Sequence, residues 1–381
     1  MNGRGEMGFA SRWGDDLDLD DDEDGDGENH FNDEDDLVFS DDDDDDDDEN
    51  GPSGSSRHKH ASSTTPHVLI TPGPSLTAAW THSTLPRDPV AAGDIDSAFR
   101  LLHRQLGVVR GRSLTESVSS VAIQAYLSTQ AVMSGFPGMP SLTTPVLRSV
   151  EPCLPFAGAG LMEITQTMKK VMKLVQNAKF EECEQNARRL LEIIPFTVVA
   201  SKEEEAELRG FVEMAREYIL AAKLDAAKRS GDEVRALECV CLMSDCRLHN
   251  AHILLTLHSA MVAAYKQNNF IDAASFARRI LSHSDINAPK NASLEVKAKK
   301  VLVRSEKEGR NEVTTHYRGE HAQTIDASSL QVIASDKKKV KCPYCSAVYE
   351  EVRKVQREVC SVCGLSRIGE ETLGLVCMRS H

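Results

Sequence analysis

A mainly α fold is predicted for this 381-residue chain: an irregular solenoid of helical hairpins that follows a disordered acidic tail and ends in a small β-rich cysteine module. Three observations predict it. Apolar residues recur at helical spacing from about Pro89 to Glu308. A pattern in that stretch, Lys179 to Leu191, returns 90 residues later. Two Cys-x-x-Cys pairs then stand near the C-terminus.

The first region, residues 1–75, is dominated by charge. Between Asp15 and Glu49 there are 23 carboxylates and no Lys or Arg, so a chain of formal net charge −15 carries +8 on everything else. Asp41 to Asp48 is an unbroken run, which repels itself and has nothing to bury, and the Gly/Pro/Ser/Thr-rich stretch from Gly51 to Ser75 continues it as a linker. Two apparent motifs here are rejected. Gly3, Gly5 and Gly8 match a dinucleotide-binding fingerprint, but no strand precedes them and acidic residues follow where a phosphate would sit. Asp22, Asp24, Asp26, Gly27 and Asp33 approach a calcium loop, yet its last position wants a bidentate Glu and no amphipathic helix flanks it.

Residues 76–310 read as the helical body, with 110–160 partly loop around Gly135-Phe136-Pro137-Gly138 and Cys153 to Gly160. Leu161, Ile164, Met168, Val171, Met172 and Val175 form one apolar stripe, ending near Asn177. Phe180, Cys183, Ala187, Leu190, Leu191 and Ile194 form the next, stopped by Pro195. Ser201 with Glu204 is a capping box that opens a helix carrying Leu208, Phe211, Ala215, Tyr218, Ile219 and Ala222. Gly231-Asp232 breaks the pattern; Val234, Leu237 and Cys241 follow, then Ile253, Leu254, Leu257, Met261 and Tyr265.

The repeat orders these helices into pairs. Lys179-Phe180, Cys183, Ala187-Arg188-Arg189-Leu190-Leu191 returns as Asn269-Phe270, Ala273, Ala277-Arg278-Arg279-Ile280-Leu281, with a weaker copy at Gly93-Asp94-Ile95, Ala98 and Leu101. An aromatic at the turn and small residues behind it resemble the second helix of a tetratricopeptide-type hairpin. The copies are not tandem at about 34 residues, so the stack is irregular. Such surfaces bind protein more often than they catalyse. The body has no nucleophile elbow, phosphate loop or His-Glu-x-x-His, and no enzyme activity is expected. His249, His252 and His258 lack a carboxylate at ligand-like spacing and read as packing or surface residues, while Arg188-Arg189 and Glu203 to Glu205 read as solvated helix faces.

Residues 311–381 form the last module. Cys342, Cys345, Cys360 and Cys363 are two knuckles separated by fourteen residues, the spacing of a four-thiolate zinc site. Pro343 stiffens the first knuckle, and Gly364 admits a positive φ after the second. With all four positions filled by sulfur, the zinc is structural, and its binding in such small modules is worth about 10–16 kcal/mol. Val340, Val348, Val359, Ile368, Leu375 and Val376 suggest short strands around the knuckles, as in a rubredoxin-like or zinc-ribbon fold, with Cys377 packing as a strand residue rather than joining His381 as a spare ligand. A RING is excluded, because one ligand set cannot make two zinc sites. The rival reading is a nucleic-acid-binding ribbon, since Lys337, Lys338, Lys339 and Lys341 flank the first knuckle; only Tyr344 and Tyr349 stand near to stack bases. Cys183, Cys239, Cys241 and Cys246 fall in helical patterns as buried thiols. No apolar leader and no run of about 18 apolar residues is present, so neither secretion nor membrane spanning is expected.

Several separated blocks carry a resemblance in one order. They are Trp13-Gly14-Asp15-Asp16-Leu17-Asp18-Leu19, Trp80, Leu85-Pro86, Ala92-Gly93, Ala98 to His103, Gly107-Val108-Val109, Lys179 to Glu182, Arg216-Glu217-Tyr218-Ile219, Asn269-Phe270, Phe276 to Arg279, Cys342-Pro343, Ile368-Gly369 and Gly374-Leu375. Together they resemble the C-terminal portion of the alpha subunit of coatomer, the coat of Golgi-derived COPI vesicles. The resemblance implies a non-catalytic helical body with a small strand-rich end that docks the coatomer epsilon subunit, itself a tetratricopeptide-like superhelix. It further implies contact with other coatomer subunits, a cytoplasmic site with peripheral attachment to Golgi membranes and COPI-coated vesicles, and a part in Golgi-to-ER retrograde and intra-Golgi transport. Nucleic acid is not an expected partner. No Trp-Asp repeat of the family's propellers occurs in the chain, so cargo recognition by propellers is not carried over.

Overall fold

The computed structural model describes residues 83–133, 142–145, 159–317, 323–351, 355 and 357–378. The acidic tail with its two rejected motifs, Trp13, Trp80, the Gly135 to Gly138 stretch, Cys153 and His381 lie outside them. All described residues fall within one contact unit.

Helices dominate the described residues. In chain order they are α1 (Arg87–Ala91), α2 (Ile95–Leu106), α3 (Thr115–Thr129), α4 (Leu161–Gln176), α5 (Phe180–Ile193), α6 (Lys202–Ser230), α7 (Glu233–Met243), α8 (Asn250–Lys266), α9 (Phe270–Leu281) and α10 (Ala292–Glu308). From α4 onward each helix packs on its neighbours in sequence. The expected stripes are the buried faces: Ile164, Met168, Val171 and Val175 on α4; Cys183, Ala187, Leu190 and Leu191 on α5; Leu208, Ala215, Tyr218 and Ile219 on α6. Each fully buried Leu contributes about 2 kcal/mol of transfer free energy, so this periodicity is what holds the stack together.

Local signals set the helix ends as read. The Ser201 side chain accepts the Glu204 N–H at 3.2 Å, and the Glu204 carboxylate accepts the Ala200 N–H at 2.8 Å, one residue before the partner a standard capping box uses. Asp232 caps α7 by accepting the Arg235 N–H at 2.7 Å. A short 3-10 turn, Ile194–Phe196, absorbs Pro195 at the end of α5.

All three copies of the repeat begin with the same turn. Lys179 N–H donates to Leu174 O, Asn269 N–H to Ala264 O and Asp94 N–H to Pro89 O, each at 2.8 Å and each spanning five residues. That closure requires a left-handed residue just before. Gly93 supplies it with φ +85, and Ala178 and Asn268 adopt φ 50 and 57 in the other copies. The small position of each copy, Cys183, Ala273 or Ala98, is buried where the neighbouring helix approaches.

One expectation is filled in and another corrected. The 110–160 stretch contains α3, whose Val118, Val121 and Ala125 are buried at helical spacing, and a short antiparallel pair of β1 (Gln130–Met133) with β2 (Leu142–Pro145). The C-terminal segment is less strand-rich than expected. It holds one antiparallel pair, β3 (Lys339–Lys341) with β4 (Val348–Glu350), whereas Val359 makes only an isolated bridge with Arg367 and Leu375, Val376 and Cys377 lie in no strand. Its backbone winds round the cysteines through turns, which leaves little extended chain to pair.

Candidate metal centre

Each knuckle closes on itself by the same backbone bond. Ser346 N–H donates to Cys342 O at 3.1 Å and Gly364 N–H to Cys360 O at 2.9 Å. Behind them, Cys342 N–H donates to Ala347 O at 2.9 Å and Cys360 N–H to Ser366 O at 2.8 Å. Both closing residues have positive φ, 71 at Gly364 as its sequence suggested and 58 at Ser346. The two turns aim their sulfurs at one point.

All four sulfurs lie within 4.8 Å of one another and all four residues are buried. Cys345 Sγ is 3.5 Å from Cys360 Sγ, and Cys342 Sγ is 3.8 Å from Cys363 Sγ. A disulfide needs about 2.05 Å, so these are separate thiols. A tetrahedral zinc with Zn–S near 2.3 Å has edges of about 3.8 Å, and the donor set fits that ion in number, type and spacing.

Electrostatics point the same way. Burial, and then the sulfurs of Cys342, Cys360 and Cys363, push the Cys345 thiol far up. At Cys360 burial also raises the thiol, but the other three sulfurs and the Tyr349 hydroxyl outweigh it and draw the group well down. Four sulfurs this close cannot all ionise unless a cation sits among them. Tyr349, fully buried, places its hydroxyl 3.1 Å from Cys360 Sγ and 3.3 Å from Ser361 Oγ while accepting the Ser361 N–H at 3.0 Å, so its own proton is shared between the sulfur and that hydroxyl oxygen.

The helical body clasps the knuckles from outside. Tyr344 donates to Leu191 O at 2.7 Å, Arg188 Nη2 to Ser361 O at 2.8 Å, Arg216 Nη1 to Cys345 O at 3.2 Å and Arg209 Nη2 to Leu375 O at 3.0 Å. Val199 N–H donates to Cys377 O and Val109 N–H to Leu365 O. Arg188 therefore does not lie on a solvated face as its sequence suggested; Arg189, paired with Glu116 on the exposed side, does. Lys223 of α6 is half-buried. Burial, and then Arg188, hold its ammonium below the ordinary lysine range, with Glu184 and the sulfurs of Cys360 and Cys345 pulling the other way.

Among the described residues no other group of His, Cys, Asp or Glu converges like this one. Of the three histidines, His252 is buried, with Nδ1 2.7 Å from the Tyr218 hydroxyl, and is pushed down to about 4 by burial and then by His249. Cys183, Cys239, Cys241 and Cys246 are buried singly in the helical core, and burial raises each of their thiols. In the basic cluster, Lys337 pairs with Glu350 at 2.6 Å and Lys339 donates to Thr324 Oγ1 at 3.0 Å. Tyr344 and Tyr349 are both buried, so neither ring can stack a base.

Sequence reasoning missed the basic stripe of α6. Arg209, Arg216 and Lys223 stand seven residues apart, which keeps them on one helical face over about two turns each, and that spacing is the signal that would have found them.

Comparison with known proteins identifies the family. The family model for the C-terminus of the coatomer (COPI) alpha subunit matches residues 3–381. "Coatomer subunit alpha" of Dictyostelium discoideum is 30% identical over 316 residues, covering 80% of this chain and 25% of that protein. "Coatomer subunit alpha-2" of Arabidopsis thaliana is 30% identical over 326 residues, covering 82% and 26%, and "Coatomer subunit alpha" of Saccharomyces cerevisiae is 29% identical over 212 residues, covering 54% and 18%. The chain thus spans about a quarter of the length of the first two relatives. With a match along nearly all of its residues, the chain belongs to the family formed by the C-terminal region of the coatomer (COPI) alpha subunit.

Proposed function

We propose that this chain is a non-catalytic structural part of the COPI vesicle coat that docks the coatomer epsilon subunit, in Golgi-to-ER retrograde and intra-Golgi transport. The observation that carries the reading is the family match over residues 3–381. The sequential packing of α4 to α10 supports it, because a solenoid of helical hairpins leaves a long side surface on which another helical subunit can lie. The proposed layout is an acidic tail and linker over residues 1–75, the solenoid over 76–310 and a cysteine module over 311–381. Association with the membrane would be peripheral, on the cytoplasmic side and through the coat; among the described residues no helix is long and apolar enough to cross a membrane.

Within this reading Cys342, Cys345, Cys360 and Cys363 hold a structural zinc in a ribbon-like module. Four thiolates fill a tetrahedral ion and leave no position for water or substrate, so the metal supplies folding energy and no chemistry. The sulfur spacing of 3.5 and 3.8 Å supports the assignment.

Co-expression of the full chain with the epsilon subunit of the same organism tests the partner. A stable complex on size exclusion is expected, and separate elution at micromolar concentrations removes the claim. Salt-sensitive retention of RNA would instead favour the nucleic-acid-binding ribbon. Elemental analysis of the purified chain should give one zinc per molecule, and none would remove the metal.

A further inference from the structure

We propose that the cationic seam between α2 and the C-terminal segment is a docking surface for Trp13 to Leu17 of the same chain. Backbone bonds build the seam. Arg367 N–H donates to Gly107 O at 2.9 Å, Val109 N–H to Leu365 O at 2.9 Å, Leu373 N–H to Arg104 O at 3.2 Å and Gly374 N–H to Gln105 O at 2.9 Å. Gly369 N–H donates to Lys341 O at 3.1 Å, and a Cβ on Gly107 would lie 3.1 Å from Pro343, so β3 and the first knuckle end at the same place. These contacts gather Arg104, Arg110, Arg112, Lys341 and Arg367, all exposed, and among the described residues none of the five side chains has an ion-pair or hydrogen-bond partner. The carboxylates beside them are fewer: Glu358, Glu370 and Glu371, of which Glu370 faces His103 at 3.5 Å. Leu373, next to Arg104, is 66% exposed.

Five unmatched cations around a protruding Leu fit an occupant that is both acidic and apolar. Trp13-Gly14-Asp15-Asp16-Leu17, outside the described residues, has that chemistry: two carboxylates stand between an indole and a Leu, at the head of a stretch with 23 carboxylates and no Lys or Arg. An arginine can bond each carboxylate in bidentate fashion, and the indole can lie on a guanidinium against Leu373. The tether suffices. The described chain begins at Ser83, and Thr84 O accepts from Gln105 Nε2 at 2.7 Å, at the seam itself. Residues 18–82 number 65 and can span up to about 200 Å, so the segment reaches the seam within one molecule, at a high effective concentration.

Acrylamide quenching of tryptophan fluorescence in the full chain tests the proposal, with the difference between wild type and Trp13→Phe giving the contribution of Trp13. That contribution should be quenched about threefold less efficiently than a free peptide of residues 9–21, because a docked indole is partly covered. Arg104→Glu with Arg367→Glu should raise it to the level of the peptide, and Leu373→Ser should raise it part of the way. Lys169→Glu with Lys170→Glu, the same charge change on the exposed side of α4, should leave it as in wild type. High salt should release the segment as the seam variant does. Should Arg104→Glu with Arg367→Glu lose helical circular dichroism, Arg110→Glu with Arg112→Glu reads the same seam from outside α2. Quenching in wild type equal to that of the peptide, or unchanged by the seam variants, overturns the proposal. So does protection that falls on dilution, which would make the occupant the segment of a second copy. Binding of phosphatidylserine vesicles through the same arginines while Trp13 stays exposed overturns it too, in favour of a membrane.

Discussion

Cysteine is used in two ways in this chain. In the helical body Cys183, Cys239, Cys241 and Cys246 are dispersed through the core; Cys183 is pushed up to about 12 by burial and then Glu184, and none has a second sulfur as a partner. In the C-terminal segment Cys342, Cys345, Cys360 and Cys363 converge within 4.8 Å. The surroundings differ in the same sense. The body satisfies its backbone inside helices and buries one apolar stripe per helix, so a thiol there is only a small apolar group. Among the described residues from 323 to 378 there is one pair of three-residue strands; the rest is turns and isolated bridges, which lean on side chains as well as on scattered backbone bonds. Besides the sulfurs, Asp326 accepts the N–H groups of Ser328, Ser329 and Glu350, and arginines from α5 and α6 hold its carbonyls. Regular secondary structure makes a fold tolerant of single losses; a fold built on one convergent centre is not.

The contrast is broken most severely at that centre. Cys360→Ser removes one of the four candidate ligands and a partner of the Tyr349 hydroxyl, so stoichiometric zinc should be lost and the C-terminal segment should become protease-sensitive while most helical circular dichroism remains. Unchanged proteolysis would contradict the assignment.

A smaller effect is expected where the body reaches out to the segment through charge. Asp245, its side chain fully buried, is paired with Arg279 at 3.0 Å and accepts the Gln323 N–H at 3.3 Å, while Arg279 also bonds Tyr317. Arg279→Met leaves that carboxylate without its cation and should cost about 3–5 kcal/mol in chemical denaturation. A loss under about 1 kcal/mol would show that the pair does not tie the two regions together.

Inside the body, one buried histidine couples stability to pH. His252 titrates near 4 in the fold, below its ordinary 6.5, because burial and then His249 disfavour its charged form. Between those values the unfolded chain binds a proton that the folded chain does not, so stability falls as pH drops from about 6.5 to about 4, by on the order of 3 kcal/mol. His252→Gln should flatten this slope, as read from denaturation midpoints across the range. An unchanged slope would place the titration elsewhere.

The smallest effect lies in the repeated turn. Ala178 holds a φ of 50 where the equivalent Gly93 is unstrained, so Ala178→Gly should stabilise the body by roughly 0.5 kcal/mol, the αL cost of a Cβ less the added chain entropy. Destabilisation by more than that would mean that the buried methyl matters more than the backbone.

Much of the body was legible because its determinants are local. Apolar spacing, the Ser201 and Glu204 pair, Pro195 and Gly231-Asp232 each act within a few residues, and they place α4 to α8. Helix α3 was not delimited, although Val118, Val121 and Ala125 carry the spacing, since Ser and Thr between them weaken the stripe. The four candidate ligands were legible for the same local reason: a knuckle is a turn. The groups that surround them were not. Arg188, Arg209 and Arg216 act on backbone carbonyls 173, 166 and 129 residues away, and a carbonyl leaves no mark on the sequence. The strands expected at Ile368, Leu375 and Val376 failed to form because that stretch follows the cysteines and α2: Gly374 N–H donates to Gln105 O, and Arg367 N–H to Gly107 O.

Hydrogen exchange of the full chain before and after zinc chelation tests most directly that the two regions are held by different means. Protection in α4, α8, α9 and α10 should persist while protection across residues 323–378 is lost. Simultaneous loss in those helices, or a C-terminal segment that stays protected without metal, would contradict the account.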